Sequence, residues 1–394
     1  MSAHELDRSK ANRRHGDWGG AASQDHRFAV AGLASGLYAA GYLSFLSHPL
    51  HLFVPSVFAA LLLTVPNRLV ASIEPRLFVL ISALFLAVLA SALFGPSSGM
   101  RAIGIAVFSC APLFLLAFKP GPAIAGLAQT YGTAAVIAMV VWSWLLYAFL
   151  GGALGPWGSW TPAGSGNLYG LQFNLLWPVL LYISLHEKSA AATGALRALA
   201  VIAFLFALLT YSRAAILCAI SIATVLALRG GWWKTLAAVA VAAVLAGTQV
   251  RAWLAFARIL EFEPTLGRFA IWKQSLAVAR DNLIFGVSPG GAPDALSAIQ
   301  VYHAHSNLLN LLLESGIAAA ALYLMVQIWL AILAIRLVRA GVDLACLGGA
   351  IGAWLATSQV STTITNPELT LTLALVTAFA GHELRRRSTP DKIL

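Results

Sequence analysis

A short stretch of this sequence gathers side chains that handle protons and anions. Two histidines, two asparagines and a glutamate interrupt an apolar stretch at His303, His305, Asn307, Asn310 and Glu314. If a helix reaches back to His303, its spacing of three and four residues puts that ring on one polar stripe with the asparagines and Glu314, while His305 faces elsewhere. If the helix begins near His305, this imidazole sits at a helix N-terminus, which favours an anion. The density of polar groups favours a site over a polar contact between helices.

Arg213 is a second candidate, because it stands between two apolar runs with almost no loop around it. It belongs to the segment Thr210-Tyr211-Ser212-Arg213, in which Tyr211 is a further candidate. A buried arginine is costly unless it meets an anion, and the alternative is that its side chain extends to the lipid headgroups. The short connection favours an anionic ligand.

A third group of cations precedes the histidines. It consists of Arg251, Arg258, Arg268, Lys273 and Arg280. Helical spacing puts Arg268, Trp272 and Lys273 on neighbouring surface, which suits an anionic ligand. The alternative is an amphipathic helix on the membrane with aromatic residues down and cations up, and Arg251 and Arg258 fit this alternative best.

Other kinds of chemistry have little support. The sequence contains no Gly-x-x-x-x-Gly-Lys phosphate loop and no Cys/His spacing typical of zinc. Cys110, Cys218 and Cys346 fall inside apolar runs and are predicted to be buried. Glu261 and Glu263 are predicted on a solvated helix surface and do not form a cage for a divalent ion. We therefore predict no metal and a reaction in which arginines neutralise a phosphate.

The elements that must position these residues are membrane-spanning helices. Hydrophobic residues make up 59% of the chain and charged residues 10%, against about 45–50% and 25% in soluble domains. A run of about twenty apolar residues spans a bilayer. We predict an all-α polytopic membrane protein with about twelve transmembrane helices, near residues 28–46, 50–65, 77–94, 102–118, 124–150, 168–185, 196–211, 214–228, 235–250, 307–335, 343–361 and 368–384.

Basic residues between the predicted spans indicate the orientation. Lysines and arginines collect at cytoplasmic helix ends, and they recur at every second turn, so both termini are predicted in the cytoplasm. The net charge of +10 is thus a topology signal, and nucleic acid is not a predicted partner. The predicted organisation is a cytoplasmic disordered tail 1–27, spans 28–250, one longer outer loop 251–304 with helices at Arg251–Phe262 and Leu266–Arg280, spans 305–384, and a tail 385–394.

In their order along the chain, these motifs resemble the O-antigen ligase and polymerase superfamily of bacterial inner-membrane glycosyltransferases. Ser212-Arg213 at the start of a span resembles the family's arginine before a short helix. Arg268-x-x-x-Trp272, followed by Asn282-Leu-Ile-Phe-Gly286, resembles its loop arginine and the turn after it. His305-Ser306, then nine residues and Gly316, resembles the histidine motif of the ligase branch. Two positions depart from the family pattern: Gly286-Val-Ser288 replaces Gly-x-Gly, and Ala319 replaces Gly, Thr or Tyr.

The resemblance implies a lipid-linked glycosyltransferase fold of the GT-C-like kind. It implies transfer of a glycan from undecaprenyl diphosphate to a sugar hydroxyl, with inversion, on the periplasmic side of the inner membrane and without ATP, metal or other cofactor. The implied acceptor is lipid A-core or a growing glycan, and membrane lipids surround the protein. Arg213 and Arg268 would grip the diphosphate, and His305 would be the general base. The other residues expected to bind substrate are His303, Trp272, Lys273, Arg258, Arg280, Asn307, Glu314 and Tyr211.

Two alternatives remain open at this level. A polymerase of the same superfamily, joining repeat units of O-antigen or exopolysaccharide, would use the same polar residues with another acceptor. A secondary transporter also commonly has about twelve spans, but transporters place polar groups near the bilayer midplane in related halves. Here the polar groups cluster at the outer edge, and the segment 67–76 lacks the Asp-Arg-x-Gly-Arg loop of major facilitator proteins.

Overall fold

A computed structural model of the protein describes residues 70–121, 124–149, 166–209, 213–230, 263–299, 301, 303–359 and 367–388. The predicted spans 28–46, 50–65 and 235–250, and the predicted helix Arg251–Phe262, lie outside these residues. The described chain is almost entirely helical, which confirms the all-α prediction. Apolar segments become helices because a helix satisfies its own backbone N–H and C=O groups, which lipid cannot do.

The described chain begins with two helices closed at one end by a small ribbon. β1 (Val70–Ile73) pairs antiparallel with β2 (Phe118–Pro120), and between them lie α1 (Pro75–Phe94), α2 (Met100–Cys110) and a 3-10 turn (Ala111–Ala117). Lys119 and Glu74 form an ion pair at 2.8 Å beside the ribbon. The predicted span 102–118 is therefore a helix followed by a 3-10 turn, not one continuous α-helix.

The next four helices correspond to the predicted spans 124–150, 168–185, 196–211 and 214–228, but the third of them begins earlier than predicted, at Ala190. They are α3 (Ile124–Phe149), α4 (Gly166–His186), α5 (Ala190–Leu209) and α6 (Arg213–Gly230). A three-residue connection joins α4 to α5, and the Glu187 carboxylate there accepts the backbone N–H groups of Lys188 and Ser189. The resulting antiparallel pair stacks Trp177 on Phe204, with ring centroids 5.4 Å apart.

The remaining elements carry most of the predicted site. They are α7 (Glu263–Asp281), α8 (Ala292–Ala295), a 3-10 turn (Ser297–Ile299), α9 (Asn307–Ala340), α10 (Val342–Ser358) and α11 (Pro367–Ser388). α9 has 34 residues and contains one position with non-helical backbone angles, Gly316. The predicted loop helix Leu266–Arg280 corresponds to α7.

Four helices within the described ranges are long and apolar enough to cross a membrane. They are Pro75–Phe94, Met100–Ala117, Ala190–Leu208 and Asn307–Ala340. Large apolar side chains on α9, such as Leu324, Ile328, Ile332 and Ile335, are exposed. Exposed apolar faces are typical of helices that lie in lipid, and the protein is a membrane protein.

α10 lies at the centre of the bundle, packed against α4, α6, α9 and α11. Its glycines allow this, because Gly348 lies against the backbone of Ala334 on α9 and Gly349 lies against Ile222 on α6. Small residues let membrane helices approach closely. Trp354 fills the remaining space and is 1% exposed.

The bundle has two chemically different ends. At the first, called here the ion-pair end, Asp343 of α10 binds Arg387 of α11 and His186 of α4. Close by, the hydroxyl of Tyr182 donates to the Glu383 carboxylate at 2.8 Å. The charge of Arg385 also reaches Glu74, which places the start of α1 at this end. The ion-pair end thus collects residues predicted to be cytoplasmic.

At the opposite end, called here the histidine end, the last turn of α1, the turn 282–287 and the start of α9 come together. The hydroxyl of Ser91 on α1 donates to the carbonyl oxygens of Phe285 and Glu314. All the site residues placed by the structure lie toward this end.

Candidate functional site

His305 lies immediately before the first turn of α9. The helix begins at Asn307, and Ser306 caps it by accepting the N–H of Leu309 at 3.4 Å. The arrangement in which the helix reaches back to His303 is therefore wrong, because the chain turns before the Ser306 cap. The alternative, in which His305 adjoins a helix N-terminus, agrees with the structure. His305 itself has φ 52°, a left-handed conformation that is uncommon for a residue with a side chain.

The two histidines lie together although they are not on one helix face. Their ring centroids are 4.4 Å apart, and both side chains are half-buried. Burial lowers the pKa of His303, and it lowers the pKa of His305 to about 4. The positive charges of His303 and Arg268 act on His305 in the same direction. At neutral pH the imidazole of His305 is therefore uncharged and keeps a free lone pair, as a general base requires.

Arg268 lies on α7, and its charge acts on His305. Helical spacing puts it on one face with Trp272, Ser275 and Ala279, and Ser275 and Ala279 are 0% and 1% exposed. α7 packs against α9. Since the charge of Arg268 acts on His305, the structure brings together a cation and a base that are widely separated in the sequence.

The other predicted residues of α7 face different surroundings. Lys273 and Arg280 are exposed. Trp272 is half-buried and stacks edge-on against Phe269, with centroids 5.5 Å apart, and its indole nitrogen is buried without a hydrogen-bond partner. Phe269 is 58% exposed. The helix thus presents an exposed apolar and basic side as well as its buried face.

A break in α9 anchors the site to the rest of the bundle. Gly316 has φ 78° and ψ −177°, so the helical hydrogen bonds are interrupted there. The carbonyl of Leu313 instead accepts the N–H of Val287 at 2.9 Å, and the N–H of Ile317 donates to the carbonyl of Leu283 at 2.9 Å. The turn 282–287 fills the break and satisfies backbone groups that would otherwise be unpaired.

Glu314 and Asn310 have internal partners at this break. Glu314 is 7% exposed; its Oε1 accepts the N–H of Ala292 at 3.3 Å, and its Oε2 accepts Nδ2 of Asn310 at 3.1 Å. The Oδ1 of Asn310 accepts the N–H of Ala304 at 3.2 Å. Both side chains therefore connect segments of the site.

Asn307 is also internal. It is 0% exposed, and its Nδ2 donates to the hydroxyl of Tyr323 at 2.9 Å. Of the polar stripe that the sequence suggested, Asn307, Asn310 and Glu314 are buried in the protein. His303, before the helix, is half-buried, as is the neighbouring His305.

A small cavity lies beside the Glu314 carboxylate. It has a volume of about 20 Å³ and is lined by Asn310, Glu314 and Ser315 of α9 and by Ser109 and Cys110, among others. This volume accommodates about one water molecule. The cavity links the interior of the site to α2, which the sequence motifs did not include.

Arg213 is the first residue of α6, and its side chain lies outside the description. α6 runs antiparallel to α10, because Cys218 contacts Thr357 at 2.7 Å while Ile222 lies against Gly349. The N-terminus of α6 is therefore at the histidine end, with the last turn of α10. Tyr211 and Arg258 lie outside the described residues.

Three contributors to the site were not identified from the sequence. Ser91 lies within an apolar run, and its polarity is the only sequence feature that indicates a role in the site. Ser288, with φ 81°, accepts the N–H of Ser97 through its hydroxyl at 3.1 Å. Ala292 contributes only a backbone N–H, for which side-chain identity gives no signal.

A comparison with known protein families matches part of the chain. Residues 198–324 match the family described as O-antigen ligase. The matched segment contains Arg213, Arg268, His305 and the break at Gly316, and it confirms the superfamily that the motifs indicated. No curated protein sequence matches the chain.

Proposed function

We propose, from the match of residues 198–324 to the O-antigen ligase family, that the protein transfers a glycan from undecaprenyl diphosphate to a sugar hydroxyl of lipid A-core. The family supports ligase- or polymerase-type activity in general. The proposed location is the bacterial inner membrane, with both termini in the cytoplasm and the histidine end in the periplasm. This orientation follows from the basic residues at the ion-pair end.

The observation that carries the proposal is that the charge of Arg268, on α7, acts on His305, just before α9. A guanidinium binds a phosphate through two parallel charge-assisted hydrogen bonds. An uncharged imidazole beside it accepts a proton. A cation and a base in contact with one ligand are the two groups that glycosyl transfer from a diphosphate needs.

We assign the donor diphosphate to Arg268 and Arg213. Their charges offset the charge that develops as the leaving group departs, so no metal ion is needed in the proposed reaction. Further substrate contacts are assigned to His303, Trp272, Lys273 and Arg280 and, outside the described residues, to Arg258 and Tyr211. Asn307 and Glu314, whose polar atoms have internal partners, shape the site instead of contacting substrate.

His305 is assigned the general base. The acceptor oxygen forms a bond to the anomeric carbon while the bond from that carbon to the phosphate oxygen breaks, and the acceptor proton passes to the imidazole. Attack on the face opposite the leaving group inverts the anomeric configuration. Binding of the anionic donor offsets the charge of Arg268 and raises the pKa of His305, so the base strengthens when the donor is in place.

Transfer by the purified protein tests the proposal. An undecaprenyl-diphosphate glycan and lipid A-core are incubated with wild type, Arg268→Ala and His305→Ala, without ATP and in the presence and absence of EDTA. Lys188→Ala is the matched control, because it removes an exposed cation at the ion-pair end. We expect transfer by wild type and the control and a loss of at least about 100-fold in both site variants.

Other outcomes separate the alternatives. If the core stays unmodified and the lipid-linked glycan lengthens, the protein is a polymerase. If the bound donor is not consumed in either way, the proposed activity is wrong. Inhibition by EDTA that one divalent ion reverses would contradict the metal-free mechanism.

A further inference from the structure

The Glu314 carboxylate connects three segments of the histidine end. It lies on α9, it accepts the backbone N–H of Ala292 and a backbone hydrogen bond from Gly290, and through Asn310 it reaches Ala304. Ala304 is 0% exposed and precedes His305. We propose that Glu314 and Asn310 are a positioning pair that fixes the backbone beside His305, so that the imidazole meets the acceptor hydroxyl.

The direction of these hydrogen bonds determines which atom faces Ala304. A carboxylate only accepts hydrogen bonds, whereas a carboxamide has one donor and one acceptor side. Glu314 therefore selects the amino side of Asn310, whose Nδ2 donates at 3.1 Å. The oxygen of the carboxamide is left facing the N–H of Ala304, which it accepts at 3.2 Å.

The backbone that this pair holds is one that needs support. His305 has φ 52°, and a residue with a side chain adopts this conformation only when its surroundings hold it there. Ser306 fixes the chain on one side of His305 by capping α9. Asn310 fixes it on the other side at Ala304. The imidazole is thus held between two backbone anchors.

Glu314 also fixes the loop that follows α7. By accepting the N–H of Ala292 at 3.3 Å, it ties the loop to the same helix turn that holds Ala304. The carboxylate and the break at Gly316 are two residues apart, so loop, break and histidine segment form one assembly. A change in this carboxylate therefore moves the base relative to the donor site on α7.

The inference rests on the proposed function, since it assigns a role relative to its general base. Exchanging the two side-chain types tests it. In Glu314→Gln, the carboxamides of Gln and Asn310 can each rotate by 180°. In every combination, however, one N–H donor faces another N–H donor. In Asn310→Asp, two carboxylates face each other. In the double variant Asn310→Asp with Glu314→Gln, the aspartate accepts from Ala304 and from the glutamine amino group, and the glutamine oxygen accepts from Ala292.

Two readouts are measured on the full-length protein. The first is transfer, as kcat and as KM for the donor; the second is the rate at which diethyl pyrocarbonate modifies His305, followed by mass spectrometry. We expect each single variant to lower kcat by about 100-fold with little change in donor KM. Both single variants should also change the modification rate of His305. The double variant should return kcat and the modification rate to within about tenfold of the wild-type values.

Gln327→Met is the matched control, because Gln327 is another buried amide of α9, bonded to Ser358, and it should leave both readouts unchanged. The inference is overturned if the single variants leave the modification rate of His305 unchanged, or if the double variant recovers neither readout. If wild type transfers no glycan but the modification rates follow the expected pattern, the positioning stands and the proposed function fails.

Discussion

The Cα of Gly316 lies directly against the carbonyl oxygen of Ile284, so a Cβ built on this glycine would clash with it. The contact joins the break in α9 to the turn after α7. It explains why the histidine motif ends in glycine, since φ 78° and ψ −177° lie in a region that only glycine adopts readily.

Gly316→Ala should therefore destabilise the protein by at least about 2 kcal/mol, from backbone strain and from the clash. The measurement is thermal unfolding in detergent together with transfer activity. Gly194→Ala is the control, since a Cβ there meets nothing within 4 Å, and alanine favours a helix more than glycine by roughly 0.5–1 kcal/mol. Equal stability of the Gly316→Ala variant and wild type would contradict the described break.

The pH dependence of transfer should reflect the low pKa of His305. Because burial and neighbouring charges lower this pKa from 6.5 to about 4, the free protein keeps an uncharged base far below pH 6.5. The pH profile of kcat/KM reports the free enzyme. We expect the acid limb of this profile at about pH 4. The acid limb of kcat should lie higher, because the bound diphosphate raises the pKa. An acid limb of kcat/KM at pH 6.5 would show that His305 is solvated.

The same shift affects stability. Between the lowered pKa of the folded state and the ordinary value of 6.5, the unfolded chain binds more protons than the folded one, so stability decreases as pH falls through this window. We expect wild type to lose more stability than His305→Gln between pH 7 and pH 5. Unfolding midpoints that change in parallel for the two proteins would contradict this.

Arg268 should act on both the donor and the base. Arg268→Lys keeps the charge but loses the paired hydrogen bonds, so donor KM should rise with little change in the pKa of His305. Arg268→Gln removes the charge as well, and the pKa of His305 should rise toward its ordinary value. Histidine modification as a function of pH measures this difference. If His305 had the same pKa in both variants, the charge of Arg268 would have no effect on His305.

The orientation predicted from basic residues is testable with single cysteines. The three native cysteines are at most 6% exposed, so background labelling should be low. Ser297→Cys, near the histidine end, should react with an impermeant maleimide applied to spheroplasts, and Lys188→Cys should react only in inverted membranes. The reverse pattern would place the proposed site in the cytoplasm and exclude a periplasmic acceptor.

Apolar periodicity predicted the helices well because a helix that lies in lipid needs a continuous apolar segment, and such a segment is visible in the local sequence. The predicted spans 77–94 and 124–150 correspond to Pro75–Phe94 and Ile124–Phe149. The break at Gly316 was not predicted as a break, since a single glycine in a helical pattern does not by itself indicate one. The ribbon of Val70–Ile73 with Phe118–Pro120 was missed because its pairing depends on the packing of the two helices between them.

The sequence predicted which types of side chain form the site, but not which residues these side chains contact. Histidine and arginine stand out in an apolar sequence because they are costly there. Whether Glu314 meets an arginine, a substrate or a helix could not be inferred, since its partners include the backbone of Ala292, and Ser91 reaches the same turn from far along the chain. Such contacts depend on topology, which a list of polar residues does not contain.

The helix break also indicates how deep each part of α9 lies in the membrane. Between Arg336 and Gly316, α9 rises about 30 Å, at about 1.5 Å per residue, which equals the thickness of the hydrocarbon core. With Arg336 at one boundary of that core, Gly316 falls at the other. The turns that carry Asn310 and lead to His305 then stand among headgroups and water. In the proposed reaction, a sugar acceptor would reach the imidazole from the aqueous side while the isoprenoid tail of the donor stays in the membrane.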